Sequence, residues 1–217
     1  MFALAAGSAL VLGSAASADD VIANGGFELG TTTNATGWQQ VGSQPATRDS
    51  TNPRTGNWAL KLNATGSVSA GGSSIGLQNS IADGGLPGLQ ELTTVDVSFW
   101  WASDLSQGGA DAFGAARILD AQGNIVDDTG LVNLGNNNGV YTQINLPTLN
   151  VPAFGAFPAD EYAVFVEFTG AAGAVDGASA QGFIDDVVAT GTFVPEPASL
   201  ALLGVGGLAL LARRRKA

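Results

Sequence analysis

Carboxylates are the side chains in this sequence best able to do acid–base chemistry. The 217 residues include 19 Asp and Glu but no His and no Cys. A Ser-His-Asp triad, a thiol nucleophile, a metal site with His ligands and a disulfide are therefore excluded. Two carboxylates are enough for a glycosidase if they lie about 5–9.5 Å apart across a cleft. Glu167 and Asp96, each on the predicted outward face of a strand, are one candidate pair.

No motif supports catalysis by this pair. Carboxylates carry most of the charge in the body of the chain, so some pair of them always looks plausible. A phosphate-binding loop, a dinucleotide fingerprint and an internal repeat are all missing from the sequence. The sequence therefore favours a protein that is not an enzyme. A small carbohydrate-active hydrolase and a purely structural envelope protein remain the alternatives.

A polysaccharide-binding face needs an aromatic platform and a few polar groups. Trp100 is expected to project from its sheet on the side opposite to its core-facing neighbours. Arg117, Gln143, Phe165 and Glu167 share that face if the strand pairing permits. The sequence thus offers Trp100, Arg117, Phe165 and Glu167 as a candidate ligand face. The alternative is that Trp100 lies under a covering loop; the other tryptophans are expected in the core.

The charge distribution limits the partners. The formal net charge is −11, and between Asp19 and Val194 only four basic residues stand against 18 carboxylates. Such a body repels phosphate backbones, so the sequence predicts no nucleic-acid partner. Acidic surfaces suit hard cations such as Ca²⁺ and also suit solubility outside the cell.

The first 18 residues are typical of a secretory signal. They are apolar, are too short to span a bilayer and close with Ala16-Ser17-Ala18, an A-x-A pattern for a signal peptidase. A basic stretch before the apolar run is missing, so either the true start lies upstream or the signal is atypical. We predict a signal peptide over 1–18 and an exported protein.

The last 24 residues, 194–217, combine three features in order. Pro195-Glu196-Pro197 comes first, then the uncharged run 198–212, then Arg213-Arg214-Arg215-Lys216. A helix over the apolar run rises roughly 22 Å, against a bilayer core of about 30 Å. It would span with local thinning and snorkelling arginines, and the basic cluster would stay cytoplasmic. A single-span tail anchor is one interpretation.

These residues resemble the PEP-CTERM sorting signal of Gram-negative and related bacteria, which has a Pro-Glu-Pro motif, a short transmembrane helix and an arginine-rich end. The resemblance implies recognition by an exosortase in the membrane and removal of the tail during export. It also implies a destination at the cell surface or in the extracellular matrix of a polysaccharide-producing bacterium.

Between the ends, residues 19–193 predict one all-β domain. No helical apolar period is found, whereas 93–101 and 161–169 alternate apolar and polar residues, which is typical of half-buried strands. Residues 115–120 and 125–126 flank Ala121-Gln122-Gly123-Asn124, a predicted hairpin turn. With the weaker strands, eight or nine in all, the pattern predicts an antiparallel β-sandwich. The weaker strands are 58–63, 74–81, 141–149 and 182–188.

Three motifs refine this fold. Asn24-Gly25-Gly26-Phe27-Glu28 followed by Trp38, the stretch 55–62 and the closing stretch 182–187 resemble the galactose-binding-like jelly roll of several carbohydrate-binding modules. The resemblance implies that the first and last strands are adjacent. It also implies that Glu28 approaches Asp185 and that both help to bind a structural Ca²⁺. The alternative is that Glu28 caps a turn and Asp185 faces water.

Overall fold

The computed structural model describes residues 18–79, 92–106, 109–152 and 162–193. The predicted signal peptide, apart from Ala18, and the whole of the predicted tail, 194–217, lie outside these residues. Within the described ranges, no helix has the length and apolar character that crossing a membrane requires.

The described residues form two antiparallel sheets. The seven-stranded sheet has the order β10-β6-β13-β4-β3, with β1 also paired to β13 and β11 to β6. The six-stranded sheet has the order β2-β5-β12-β7-β8, with β9 paired to β7. The strands are β1 Ala18–Asp20, β2 Gln39–Val41, β3 Thr47–Asp49, β4 Ala59–Thr65, β5 Gly72–Asn79, β6 Leu92–Ser106, β7 Ala110–Leu119, β8 Ile125–Asp128, β9 Val132–Asn133, β10 Thr142–Asn145, β11 Leu149–Asn150, β12 Ala163–Ala172 and β13 Ser179–Phe193.

The core lies between the two sheets and follows from the period-2 patterns. Alternate side chains of β6 and β12 are fully or almost fully buried, among them Phe99 and Phe168. These two rings meet edge-to-face across the sandwich, with centroids 4.7 Å apart. Trp38 stacks on Phe168 at 5.8 Å and extends the cluster towards Phe27. The predicted antiparallel β-sandwich is thereby confirmed.

Several local predictions are confirmed as well. The hairpin between β7 and β8 turns at Gly123, whose φ of +81° is left-handed. The first and last strands are neighbours, because Ala18 pairs with Thr192 and Asp20 with Thr190. The predicted strand 141–149 is instead split into β10 and β11, with Leu146 between them turned into the core.

An irregularity in the pairing of β13 with β6 lies at the candidate site. The register of β13 against β6 shifts between Asp185 and Val188, and Asp186 has a φ of +47°. This bulge inserts one extra residue into β13 and places the carboxylates of Asp185 and Asp186 next to each other at the irregularity. The short strands β1, β2, β3 and β9 were not predicted, because two or three residues are too few to show an alternation.

Candidate functional site

Asp185 anchors the loop that joins β3 to β4. Its side chain is fully buried. One carboxylate oxygen, Oδ2, accepts hydrogen bonds from the backbone N–H groups of Arg54 and Thr55 at 2.8 and 3.1 Å. The other oxygen accepts from the N–H of Asp186 at 2.8 Å. Asp185 therefore fixes the start of the segment Arg54–Trp58, called the 54–58 loop below.

Glu28 anchors the other end of the 54–58 loop. Its Oε1 accepts hydrogen bonds from the backbone N–H groups of Asn57 and Trp58 at 2.9 and 3.0 Å. Four of the five backbone N–H groups of the loop thus point at two carboxylates from distant parts of the chain. Hydrogen bonds from neutral donors to ionised acceptors are stronger than neutral pairs, so the loop is held firmly.

Arg48 organises the segment that carries Glu28. It lies on β3 with only 6% of its surface exposed. Its Nε, Nη1 and Nη2 donate to the backbone carbonyls of Phe27, Thr31 and Glu28 at 2.6–2.7 Å. Its guanidinium also lies 3.8 Å from the centre of the Trp58 ring. A buried side-chain cation therefore gathers three carbonyl oxygens beside the 54–58 loop.

Glu28 and Asp185, the predicted calcium ligands, approach the same loop. Their oxygens nevertheless face five backbone N–H groups, counting that of Asp186. Such donors compete with a cation for carboxylate lone pairs, so the residues fit hydrogen bonding better than coordination. Among the described residues, no three acidic, His or Cys side chains form a group that could hold a metal. Calcium binding at this pair stays a prediction.

Burial is the main electrostatic influence on Asp185. It raises the pKa of the carboxyl to about 6, opposed by the backbone hydrogen bonds and assisted by the charge of Asp186. Asp186 itself accepts from the Thr55 hydroxyl and forms an ion pair with Arg54. The pKa of Tyr141 is also raised, by burial first and then by these two carboxylates.

Trp100 is covered by the same part of the chain. On β6 it pairs with Asp185 of β13 and with Gln143 of β10. The Arg54 guanidinium lies 3.6 Å from the centre of its ring. Beyond it, the Tyr141 hydroxyl donates to the Asn52 carbonyl at 2.6 Å. The loop after β3 thus extends over this ring, as the alternative of a covering loop predicted.

The predicted ligand face requires a correction. Arg117 lies on β7, and Phe165 and Glu167 lie on β12, so all three belong to the six-stranded sheet. Trp100 lies on the seven-stranded sheet, so the prediction that the four residues share a face is wrong. The alternation of a strand gives the face of its own sheet, but it does not say which sheet the strand joins.

The three remaining residues are in contact on the outer face of the six-stranded sheet, the face turned away from the other sheet. Arg117 pairs directly with Phe165 in the strand register. Its Nη1 lies 3.0 Å from Glu167 Oε2, and its Nε lies 3.5 Å from Asp128 Oδ2. The guanidinium carbon is 5.5 Å from the centre of the Phe165 ring. We call Arg117, Phe165 and Glu167 the β7–β12 face.

The candidate catalytic pair also requires a correction. Glu167 lies on the outer face of the six-stranded sheet, whereas Asp96 lies on the outer face of the seven-stranded sheet. The core of the sandwich therefore separates the two carboxylates, and they cannot flank one substrate. Each also has a local partner, since Thr169 donates to Glu167 at 2.8 Å and Thr148 donates to Asp96.

A pocket at the edge strand β3 was missed by the sequence analysis. It is open and has a volume of about 400 Å³. Trp58, expected in the core, is half-buried in its wall. The runs Thr31-Thr32-Thr33 and Ser50-Thr51 are the only hint in the sequence, because no alternation points to them. The lining residues are Thr32, Thr33, Thr47, Arg48, Asp49, Ser50, Thr51 and Trp58.

The comparisons with known proteins bear on the two parts of the chain separately. Residues 193–216 match the family model of the PEP-CTERM protein-sorting motif. The predicted sorting signal is confirmed, and the motif marks the chain for export and sorting to the cell surface. No curated protein sequence matches the chain.

Solved structures resemble the sandwich. The enzymatically active domain of tailspike protein 4 from bacteriophage CBA120 is 17% identical, with 81% of this chain and 21% of that chain covered and a TM-score of 0.52. An arabinose-bound GH51 α-L-arabinofuranosidase is 14% identical, covering 79% and 26%, with a TM-score of 0.50. The CBM22-1 xylan-binding domain of Paenibacillus barcinonensis Xyn10C is 13% identical, covering 83% and 99%, with a TM-score of 0.47.

The chain spans about a quarter or less of the first two of these proteins. At such identities the likeness shows a shared β-sandwich fold, and function has to be argued from the sites.

Proposed function

We propose that this is an exported, exosortase-sorted protein whose sandwich is a non-catalytic binding module for extracellular polysaccharide. The observation that carries the proposal is the PEP-CTERM motif at 193–216, which begins at the last residue of β13. A sorting motif joined directly to one acidic β-sandwich suits a protein that works in the matrix outside the cell.

The β7–β12 face supports a polysaccharide as the ligand. Phe165 offers a half-buried ring, and Phe113 lies two pairs further along on the same face of β7. Sugars pack their C–H faces on aromatic rings and give their hydroxyls to fixed polar groups. Arg117 and the Thr169 hydroxyl both donate to Glu167, which holds its carboxylate in one orientation as an acceptor.

The same face supports binding without hydrolysis. A glycosidase places its two carboxylates on either side of the scissile bond, with room for the sugar between them. On this face Glu167 and Asp128 flank Arg117, which forms ion pairs with both. The guanidinium therefore lies beside both carboxylates, where a glycosidase leaves room for the sugar.

Affinity electrophoresis of the full-length chain tests the binding proposal. Gels containing xylan, β-glucan, arabinoxylan or arabinogalactan should retard the protein for at least one of these probes. Phe165→Ala and Glu167→Gln should reduce the retardation about tenfold or more, because each removes a contact on the face. Asp96→Asn, on the outer face of the other sheet, is the matched control and should change nothing. No retardation by any probe overturns the proposal.

A reducing-end assay on the same samples separates binding from hydrolysis. We expect no release of sugar by the wild type. Release that disappears in Glu167→Gln, with the fold intact by circular dichroism, would establish the hydrolase alternative instead.

Sorting is tested in cells that contain an exosortase. The proposal predicts that the mature protein loses the mass of its tail and appears outside the cell. Replacing Pro195, Glu196 and Pro197 together by alanine should leave the tail attached, whereas Asp96→Asn should be processed normally. Equal processing of both variants would contradict recognition through this motif.

A further inference from the structure

We propose that the pocket beside Trp58 is a second carbohydrate site, which takes one neutral pyranose unit of a glycan. We call it the Trp58 pocket; its residues are those named above. This second site goes beyond the proposed function, because the Trp58 pocket lies at the edge strand of the seven-stranded sheet, whereas the β7–β12 face lies on the other sheet. The two sites can therefore succeed or fail independently.

The size and shape of the Trp58 pocket suit a sugar ring. Its volume of about 400 Å³ falls within the roughly 300–1,000 Å³ of small-molecule sites. Its lining comes from Thr32 and Thr33, from the stretch between Thr47 and Thr51, and from Trp58. Since the pocket is open to solvent, the unit it binds can remain part of a longer chain.

The aromatic wall of the pocket is fixed before any ligand arrives. The Arg48 guanidinium lies 3.8 Å from the centre of the Trp58 ring and is itself held by three backbone carbonyls. Glu28 accepts from the backbone N–H of Trp58 at 3.0 Å. A fixed aromatic ring loses little conformational entropy on binding, which favours affinity. Because the guanidinium covers one side of the indole, a ligand meets its other side or its edge.

The polar groups of the pocket match sugar hydroxyls. Four threonines and one serine line it, and a hydroxyl can both donate and accept. Asp49 adds a fixed acceptor, because its Oδ1 accepts from the Thr51 backbone N–H at 2.7 Å and from the Thr51 hydroxyl. A carbohydrate can pack its C–H groups on the aromatic ring and exchange hydrogen bonds with the hydroxyls and the carboxylate.

The charged groups of the pocket are already engaged with protein partners. All three guanidinium nitrogens of Arg48 already donate to carbonyls. The nearest lysine, Lys61, lies 3.7 Å from Asp49 Oδ2. Burial acts to raise the pKa of Asp49, but hydrogen bonds from Thr51 and the charge of Lys61 outweigh it and lower that pKa. The pocket therefore presents a carboxylate that can accept from sugar hydroxyls, and its cations already have protein partners, which suits a neutral sugar.

Titration of the full-length chain with short oligosaccharides tests the inference. The probes are neutral tetrasaccharides of glucose, xylose, mannose and galactose, with tetragalacturonate as the anionic comparison. Calorimetry and tryptophan fluorescence should detect at least one neutral probe and no tetragalacturonate. Trp58→Leu should weaken that binding at least tenfold. If tetragalacturonate binds as well as the neutral probes, the assignment of a neutral sugar is overturned.

The chain contains a matched control for Trp58. Trp100 is also half-buried and also lies under an arginine, at 3.6 Å, but it does not line the pocket. Trp100→Leu should therefore cost similar stability and leave the Trp58-dependent binding unchanged. Equal loss in both variants, or no loss in Trp58→Leu, overturns the inference.

Two further variants keep the test decisive. If Trp58→Leu does not fold, Thr47→Val removes one hydroxyl of the pocket at constant size and should weaken the neutral probe several-fold. Phe165→Ala should leave this binding intact while reducing retention by polysaccharide gels about tenfold or more, if both sites exist. Binding lost only in Phe165→Ala overturns the Trp58 pocket and leaves the proposed function standing. Oligosaccharide binding and gel retention that are both lost only in Trp58→Leu would leave the Trp58 pocket standing and overturn the β7–β12 face.

Discussion

The carboxylate of Glu28 occupies the space that a side chain at position 56 would need. A Cβ built on Gly56 would overlap Oε1 of Glu28, far inside van der Waals contact. Gly56 also has a φ of +58°, which L-residues with a Cβ rarely adopt. Glycine is therefore required at position 56 for two reasons: the left-handed backbone conformation, and the space taken by the carboxylate that anchors the 54–58 loop.

Gly56→Ala should lower the free energy of unfolding by about 2–3 kcal/mol, from left-handed strain and from a displaced Glu28. Gly123→Ala is the control, because Gly123 has a φ of +81° with nothing near its missing Cβ, and it should cost only about 1 kcal/mol. In a Glu28→Ala background, the loss of unfolding free energy caused by Gly56→Ala should fall to the loss caused by the control. Urea unfolding of the wild type and the four variants measures these costs, and additive costs of Glu28→Ala and Gly56→Ala would contradict the steric link.

Arg48→Lys should destabilise the protein by about 2–4 kcal/mol. A lysine keeps the charge but cannot reach three carbonyls, so buried acceptors lose their donors. Arg54→Lys is the comparison, since Arg54 is more exposed and pairs with Asp186 near the surface, and it should cost less than about 1 kcal/mol. Thermal and urea unfolding give both values, and equal costs would show that the three carbonyl contacts contribute little.

Asp185 should make stability fall as the pH rises from about 4 to about 6. Burial raises its native pKa to about 6 from 3.8, so the folded state binds this proton more tightly than the unfolded state. The stabilisation is complete below about pH 4 and is lost as the pH passes 6, by up to about 3 kcal/mol.

The measurement is the difference in unfolding free energy between the wild type and Asp185→Asn at pH 4, 5, 6 and 7. Other carboxylates with shifted pKa values, such as Asp49 and Asp127, occur in both proteins and cancel. The wild type should lose stability relative to the variant across this range. Parallel profiles would mean that Asp185 titrates near its ordinary pKa.

Calcium binding at Glu28 and Asp185 is decided by thermal unfolding in calcium and in EDTA. A cation bound only by the folded state must raise the midpoint by mass action. Because five N–H groups face these carboxylates, we expect the same midpoint in both buffers. A rise that is lost in Glu28→Gln would show instead that the loop turns carbonyl oxygens towards a bound ion.

The sequence predicts those parts of the fold that leave a local pattern. The alternation in β6 and β12 predicts a sandwich, and Gly123 marks a hairpin turn because it lies between two apolar runs. That Glu28 and Asp185 take part in one site was predicted only from a family resemblance, since more than 150 residues separate them. Their shared target, the 54–58 loop, has no pattern of its own.

The sheet to which a candidate site residue belongs leaves no such local pattern. Trp100 and Phe165 both alternate with buried neighbours, but the partner of each strand is set by contacts far along the chain. The Trp58 pocket depends on a loop and a three-residue edge strand, where side-chain direction follows from tertiary hydrogen bonds such as those of Arg48. Local periodicity carries no information about either.

The position of β13 has a mechanical consequence for a protein whose tail is handled by a membrane enzyme. The sorting motif begins where β13 ends, and β13 runs for 15 residues between β6 on one side and β1 and β4 on the other. Ladder hydrogen bonds lie perpendicular to the strand, so a pull along the strand axis loads many of them in shear at once. Force applied at residue 193 along this axis would therefore act on one of the most extensively paired strands that the structure describes, an arrangement that resists mechanical unfolding of the sandwich.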